Sequence, residues 1–184
     1  MATVRTGNRS VLLVVDFQVD VVKNAWDAAR VGANVARVVE RARAQGVPVL
    51  WVQHEDDDRP RGSPQWQFVP ELVPVDGEFR VYKRYNSAFE ETSLEPELAR
   101  LGATHIVLAG AMTTWCIRTN AYATLERGYD LTLVSDAHTT IDIARDDGTV
   151  VEAEGIVDDL NLAMTWQDYP GRKSGIAKAG EIAF

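Results

Sequence analysis

The sequence predicts an α/β fold in which a mostly parallel sheet of about six strands lies between two layers of helices. Two observations predict this three-layer αβα arrangement. Short apolar runs rich in β-branched residues alternate along the chain with stretches of helical spacing. These runs are apolar on both faces, as in strands that are covered by helices on both sides. With 184 residues and no internal repeat, the chain has the length of one domain, which we expect to span residues 1–184.

The first half of the chain predicts two strands and one long helix. Residues 11–15 (VLLVV) form a continuous apolar run and predict a buried strand. Valines at helical spacing across residues 27–45 predict a helix that ends at Gly46. Residues 47–52 predict the second strand, because Pro48 lies near its start, where a proline is tolerated.

The second half continues the alternation of helices and strands. A capping-box pattern at residues 92–95 (TSLE) begins a short helix, which Gly102 ends. The remaining predictions follow in chain order: a strand at 106–109, a helix at 117–127, a strand at 131–134, a helix at 150–165 and a last strand within 174–184.

Residues 55–92 interrupt this alternation. The first part of the stretch is polar and rich in proline and aspartate, and the whole is too long for a plain connection. Such stretches form lids or binding loops, so we predict a lid-like insertion. The alternative is a solvated excursion without a function.

Charge and composition exclude several classes of protein. The formal net charge is −8 and no basic stripe is present, which argues against nucleic acid and anionic membrane partners. No apolar run reaches the length of a membrane span, and residues 1–10 lack the apolar core of a signal peptide. A single cysteine cannot form an internal disulfide. We therefore expect a cytoplasmic protein.

Two reactive residues come directly after predicted strands. Asp16 follows the first strand, and Cys116 follows the strand at 106–109, where the next helix begins. The carboxyl ends of parallel strands meet at one edge of the sheet, where ligand sites form. Lys83 is a third candidate, because it interrupts the apolar and aromatic run VYKRY. Each has an ordinary alternative: a small buried thiol, a turn aspartate and a solvated surface lysine.

Together these residues predict a nucleophilic thiol. A helix N-terminus lowers the pKa of a thiol, and a neighbouring base or cation activates it further. Asp16 is the candidate base, and Lys83 is the candidate cation. The backbone N–H groups of Met112 and Cys116 are candidates for an oxyanion hole.

This combination resembles the isochorismatase-like cysteine hydrolase superfamily, which includes nicotinamidase, N-carbamoylsarcosine amidohydrolase and streptothricin hydrolase. The matching segments are residues 14–18 (VVDFQ), 81–83 (VYK), 87–89 (SAF), 110–117 (GAMTTWCI) and 135–137 (SDA). The resemblance implies an Asp16–Lys83–Cys116 triad and a cis peptide bond between Ala111 and Met112. It also implies a homodimer or a larger homo-oligomer.

Within this resemblance the cysteine favours hydrolysis of a C–N bond, since isochorismatases that cleave ethers generally lack it. Nicotinamidases usually carry an Asp-x-His metal motif and another histidine after the second strand. Here that region contains only His54, so we expect neither a metal nor another cofactor. Metal binding by His54 with Asp56 stays open as an alternative.

Pocket residues are less well determined. Phe17, Trp66, Phe68 and Trp115 are candidate apolar walls, with ordinary core or subunit packing as the alternative. Gln18, His54 and His138 are candidate polar contacts, whereas His105 begins a strand and is expected to be structural. Residues 62–66 and 68–72 resemble the streptothricin-hydrolase-like group without indicating a substrate.

The predicted function is a cysteine hydrolase that cleaves an amide, ureide or lactam of a small molecule through a thioester. One alternative is a catalytically silent or redox-sensing binding protein on the same fold, with the thiol oxidised rather than acylated. Another alternative is a vinyl-ether hydrolase of the isochorismatase type.

Overall fold

The computed structural model describes residues 1–184 and contains nine strands and five α-helices. The strands are β1 (Arg9–Val15), β2 (Val49–His54), β3 (Phe79–Lys83), β4 (Ala103–Ala111), β5 (Asp130–Thr139), β6 (Ile143–Ala144), β7 (Val150–Val151), β8 (Asp168–Tyr169) and β9 (Arg172–Ala177). The helices are α1 (Val19–Val22), α2 (Ala28–Ala44), α3 (Leu94–Leu101), α4 (Arg118–Glu126) and α5 (Ala153–Trp166). A π turn, Thr113–Ile117, leads into α4.

The central sheet has seven strands in the order β3-β2-β1-β4-β5-β9-β8. All neighbouring strands are parallel except β8, which pairs antiparallel with β9. The predicted fold class, an αβα arrangement with a mostly parallel sheet, is confirmed. The sheet has seven strands rather than about six, because the sequence patterns did not predict β3 and the two-residue β8.

The two faces of the sheet bury two separate apolar cores. Side chains alternate along β1, so Leu13 packs with the leucines of α3, α4 and α5, whereas Leu12 packs against the valines of α2. All β1 residues from Ser10 to Val15 are buried, which is the burial that its uninterrupted apolar pattern predicts. This rigid centre brings the carboxyl ends of β1 and β4 side by side, with Val15 opposite Gly110.

Residues 55–92 are tied to the sheet in two places. Residues 79–83 form β3, which pairs with β2 at the edge of the sheet. At the carboxyl ends of β1 and β2, the side-chain amide of Gln18 donates to the carbonyls of His54 and Trp66 at 3.0 and 2.8 Å. Its oxygen accepts the His54 N–H at 2.8 Å. Gln53 also donates to the Trp66 carbonyl, at 3.0 Å. The chain around Trp66 is therefore held over the ends of β1 and β2.

None of the helices combines the length and the apolar composition that a helix needs to cross a membrane.

Candidate active site

Asp16, Lys83 and Cys116 meet at the carboxyl edge of the sheet. Asp16 follows β1, Lys83 is the last residue of β3, and Cys116 lies in the π turn after β4. The Lys83 Nζ atom is 2.6 Å from Oδ2 of Asp16 and 3.3 Å from Sγ of Cys116. The side chains of Asp16 and Lys83 are buried, and Cys116 is partly buried. The structure thus brings the three residues of the predicted triad together.

The backbone at the ends of β1 and β4 is unusual. Asp16 has a φ of 49°, in the left-handed region that few residues other than glycine adopt. Beside it, Gly110 has a φ of 131°, and a Cβ atom there would lie 2.0 Å from the Val15 carbonyl oxygen. Only glycine fits this close approach of the two strand ends. The tight packing aims the Asp16 carboxylate into the site.

Asn120, a buried residue of α4, connects the π turn to the loop after β3. Its amide nitrogen donates to the carbonyls of Cys116 at 2.7 Å and of Asn86 at 3.1 Å. Its oxygen accepts the Ala88 N–H at 2.8 Å. These bonds place Asn86 beside the thiol, with Oδ1 3.9 Å from Sγ of Cys116. Neither asparagine was predicted as a site residue from the sequence. An asparagine inside a helix is nevertheless a signal, because its helix propensity is poor.

The turn before the cysteine leaves one N–H group available. The peptide bond between Ala111 and Met112 is cis. The Met112 carbonyl accepts the N–H groups of Trp115 and Ile117, both at 3.1 Å, whereas the Met112 N–H makes no hydrogen bond within the chain. Met112 and Cys116 both line the cavity described below. An N–H donor without a partner at this position is what an oxyanion hole needs.

The ionisation of Cys116 differs from the prediction. The sequence predicts a thiol whose pKa is lowered by its place at a helix N-terminus. Burial, followed by the negative charge of Asp16, instead raises the pKa of Cys116 to about 12, although Lys83 opposes the shift. The thiol is therefore protonated at neutral pH. It needs a base at the moment of reaction rather than a stored thiolate.

The pKa values of the two basic neighbours of the thiol, Lys83 and His54, are shifted in opposite directions. Burial by itself lowers the pKa of Lys83, but the charge of Asp16 and the interaction with the Cys116 sulfur outweigh burial and raise it. Burial and then the Lys83 charge lower the pKa of His54. At neutral pH the site therefore contains a Lys83 ammonium, a neutral imidazole and a protonated thiol.

A cavity of about 320 Å³ opens onto the thiol. Its lining comes from α1 and the residues after it, the ends of the strands and the π turn: Asp16, Asp20, Val21, Asn24, His54, Arg59, Asn86, Met112, Trp115, Cys116 and Ile141. Among the predicted pocket residues, His54 and Trp115 line this cavity. Trp115 is 42% exposed and forms part of its mouth.

Four other predicted pocket residues do not line this cavity, because three of them are buried elsewhere and Phe68 is partly buried against the core. Phe17 and Phe68 pack in the core beneath α2, where the Phe68 ring meets Trp51 edge to face. Trp66 is buried and its ring contacts Tyr82 at a centroid distance of 5.6 Å. Gln18 is fully buried, and its side-chain amide forms a hydrogen bond with the backbone. The prediction that they line the pocket was wrong, because each has neighbours in the interior that sequence position does not reveal.

His138 is also absent from the cavity lining. It is 1% exposed, its Nδ1 lies 2.9 Å from the Thr113 hydroxyl, and its Nε2 lies 3.0 Å from Oδ1 of Asn161. Burial lowers its pKa to about 4, so the ring is neutral. The prediction that His138 lies at the edge of the pocket was wrong. It lies behind the π turn, where it contacts Thr113. His105 bonds Ser10 at 2.9 Å and Thr132 at 2.8 Å, which agrees with its expected structural role.

Several lining residues were missed by the sequence analysis. Asp20 and Asn24 come from α1 and the turn after it, and Arg59 comes from the polar stretch after β2. Arg59 forms ion pairs with Asp56 and, at 3.7 Å, with Asp20. Nothing in their local sequence distinguishes them from surface residues, because the two segments that carry them converge only in the folded chain.

One donor cluster in the site has the composition of a metal centre. Ligand atoms of Asp16, His54 and Cys116 all lie within 4.8 Å of one another. The Lys83 ammonium, however, is within 3.3 Å of a donor atom of each of the three. A metal ion would have to displace this buried cation, so this cluster does not fit a metal.

Comparisons with known proteins identify the family. The isochorismatase domain model matches residues 10–159. The chain therefore belongs to the isochorismatase family and is an isochorismatase-family hydrolase. It is 31% identical over 138 residues to the secreted isochorismatase effector Isc1 of Verticillium dahliae, which covers 70% of this chain and 71% of that protein.

Two further proteins are similar to this chain. A streptothricin hydrolase of Streptomyces noursei is 32% identical over 162 residues, or 84% of this chain, but the match spans only 61% of that enzyme. Among solved structures, an isochorismatase of Pseudomonas putida KT2440 superposes with a TM-score of 0.84 at 27% identity. The superposition covers 96% of this chain and 93% of that one.

Proposed function

We propose that the protein is a cysteine hydrolase that cleaves a C–N bond of a small amide, ureide or lactam through a thioester. The observation that carries this proposal is the position of the Lys83 ammonium, 2.6 Å from the Asp16 carboxylate and 3.3 Å from the Cys116 sulfur. A nucleophile and a base that both contact one cation, with their ligand atoms within 4.8 Å of each other, are the groups that acyl transfer requires.

The ionisation states define the first step. The thiol begins protonated, and the Asp16 carboxylate takes its proton as sulfur attacks the substrate carbonyl carbon. Both carboxylate oxygens of Asp16 are buried without a hydrogen bond, but Oδ2 is in ion-pair contact with Lys83, so Oδ1 is the oxygen that is free to accept that proton. Lys83 stays charged throughout and stabilises the negative charge that moves from Asp16 to the sulfur.

The carbonyl oxygen becomes an oxyanion as the C–S bond forms. The Met112 N–H, which has no partner in the chain, and the Cys116 N–H are the proposed donors to it. When the C–N bond breaks, Asp16 returns the proton to the leaving nitrogen, so ammonia or an amine departs. Asp16 then takes a proton from the water that attacks the thioester. It gives this proton to the leaving sulfur, so the acid is released and the thiol and the Asp16 carboxylate are restored.

The cavity limits the substrate to a small molecule, since its volume of about 320 Å³ is at the lower end of ligand sites. The side chains of Asn24 and Asn86 supply polar contacts, and Trp115 supplies an aromatic wall. The lid role of residues 55–92 is part of this proposal and is supported by Arg59, which brings that segment to the cavity.

The experiment is a screen for ammonia release over small primary amides, ureides and lactams, coupled to mass spectrometry of the intact protein. A substrate should produce a transient mass increase on Cys116 equal to its acyl group. Oxidation of Cys116 to a sulfenic acid without any acyl adduct would support the redox-sensing alternative instead. Cleavage of a vinyl ether by the Cys116→Ala variant would identify the ether-cleaving alternative.

A further inference from the structure

His54 is in contact with the triad but has no part in the chemistry proposed above. It is the last residue of β2, the strand that lies between those carrying Asp16 and Lys83. Its Nδ1 atom is 3.0 Å from Nζ of Lys83. This contact was not expected from the sequence, where His54 was a candidate for substrate contact or metal binding.

The contact gives the lysine a third polar neighbour. An ammonium has three N–H donors and no acceptor. The three atoms within reach of Nζ are Oδ2 of Asp16 at 2.6 Å, Nδ1 of His54 at 3.0 Å and Sγ of Cys116 at 3.3 Å. A lysine has a flexible four-carbon stem, so an ion pair to Asp16 alone would not determine the direction of the other two N–H groups.

We propose that His54 is a positioning residue, a neutral imidazole that holds the Lys83 ammonium between Asp16 and Cys116. Because Lys83 only donates, Nδ1 must be the acceptor, and the ring proton must be on Nε2. Oδ2 of Asp56 lies 3.5 Å from Nε2, on the side where it favours that tautomer. The lowered pKa of His54 agrees with a neutral ring.

Hydrogen bonds within the chain fix the positions of both His54 and Asp56. The backbone N–H and carbonyl of His54 are bound by the buried amide of Gln18, which sets the position of the ring. Asp56 forms an ion pair with Arg59 and accepts the backbone N–H groups of Asp58 and Arg59 at 3.1 and 2.8 Å. The carboxylate is therefore held beside the imidazole rather than free in solvent.

The test is the rate of iodoacetamide alkylation of Cys116, the only thiol, followed by intact-mass spectrometry at one fixed alkaline pH. His54→Leu removes the acceptor. His54→Asn keeps an acceptor atom at the same distance along the side chain. Lys83→Met removes the donor. His105→Leu is the matched control, since His105 lies at the opposite end of the sheet.

We expect His54→Leu to slow alkylation roughly tenfold, within the range of residues that share one hydrogen-bond network. His54→Asn should stay within about threefold of the wild-type rate, and His105→Leu should be unchanged. His54→Leu combined with Lys83→Met should be no slower than Lys83→Met alone, because His54 acts through Lys83.

An unchanged rate in His54→Leu, an asparagine variant as slow as the leucine variant, or independent effects in the double variant would each overturn the proposal. Thermal unfolding confirms that each variant is folded, and His54→Ala replaces His54→Leu if that variant does not fold. The inference rests on the proposed role of Cys116 as the nucleophile. Alkylation needs no substrate, so its outcome is separate from a failure of the amide screen.

Discussion

The Lys83 ammonium and the Asp16 carboxylate are 2.6 Å apart, and both side chains are shielded from solvent. The pair connects two strands that do not pair with each other, since β2 lies between β1 and β3. Two opposite charges in a buried site depend on each other, because removing one leaves the other desolvated and unpaired. The ion pair is therefore part of the stability of the site as well as of its chemistry.

Asp16→Asn is expected to lower the free energy of unfolding by about 3–5 kcal/mol, the cost of leaving a buried charge unpaired. Urea unfolding measures it, with Asp146→Asn as the control, because Asp146 is exposed. Asp16→Asn combined with Lys83→Met should recover part of the loss. A loss under about 1 kcal/mol, the value of an exposed ion pair, would contradict a dry site.

Alkylation of Cys116 by iodoacetamide should continue to accelerate as the pH rises past 9.0, the ordinary pKa of a thiol, because the pKa of Cys116 is about 12. Lys83 favours the thiolate, so Lys83→Met should move the profile to still higher pH. The measurement is the initial rate against pH by mass spectrometry. A wild-type rate that levels off near neutral pH would show that a thiolate is present in the resting protein.

Cys116→Ala should reduce the turnover of any amide found in the screen by at least ~10⁴-fold, since a nucleophile acts as a unit with its partners. Folding should be nearly unchanged, because Cys116 is only partly buried. Steady-state kinetics and circular dichroism test the two parts. Hydrolysis by this variant within about tenfold of the wild-type rate, far above the residual expected without a nucleophile, would remove Cys116 from the mechanism.

Prolonged dialysis against a chelator should leave the activity unchanged. The donor atoms of Asp16, His54 and Cys116 are already in contact with the Lys83 ammonium, which occupies the place that a metal ion would need. Activity before and after dialysis, with metal analysis of the protein, is the measurement. Loss of activity that zinc or iron restores would show that His54 and the nearby acids bind a metal.

Acid should destabilise the protein through His138. Its pKa falls from 6.5 to about 4 on folding, so the unfolded chain binds more protons between these values. The stability present above pH 6.5 is lost as the pH falls towards 4, by about 3 kcal/mol. Urea unfolding of wild type and His138→Gln across this range isolates the contribution, because other groups titrate in both. Parallel curves would show that His138 titrates normally.

The sequence by itself determined the order of the main elements and the identities of the three residues that meet at the carboxyl edge of the sheet. The run at residues 11–15 is apolar throughout because β1 is buried on both faces, and this property is local and readable. Asp16 directly follows β1 and Cys116 lies in the turn after β4. Parallel strands end at one edge of the sheet, so the meeting of the two residues follows from topology.

Other features were decided only in the tertiary structure. β3 escaped prediction because it is a short edge strand whose apolar residues are interrupted by Arg80 and Lys83, and its partner β2 supplies the pairing that makes it a strand. From the sequence, Trp66 and Phe68 were candidate pocket walls. In the structure the Trp66 ring packs against Tyr82 and the Phe68 ring packs against Trp51. Burial against distant segments is not encoded in local pattern.

The protonation of the Cys116 thiol likewise could not be predicted from local sequence. A cysteine at a helix N-terminus predicts a lowered pKa, because the helix dipole is a local property. Asp16 and burial act in the opposite direction, and both arise from contacts between residues that are far apart in the chain. The third partner of Lys83, His54, likewise became visible only when three strand ends were brought together. The sequence thus determined which groups are present, whereas distance and desolvation decided their charges and their partners.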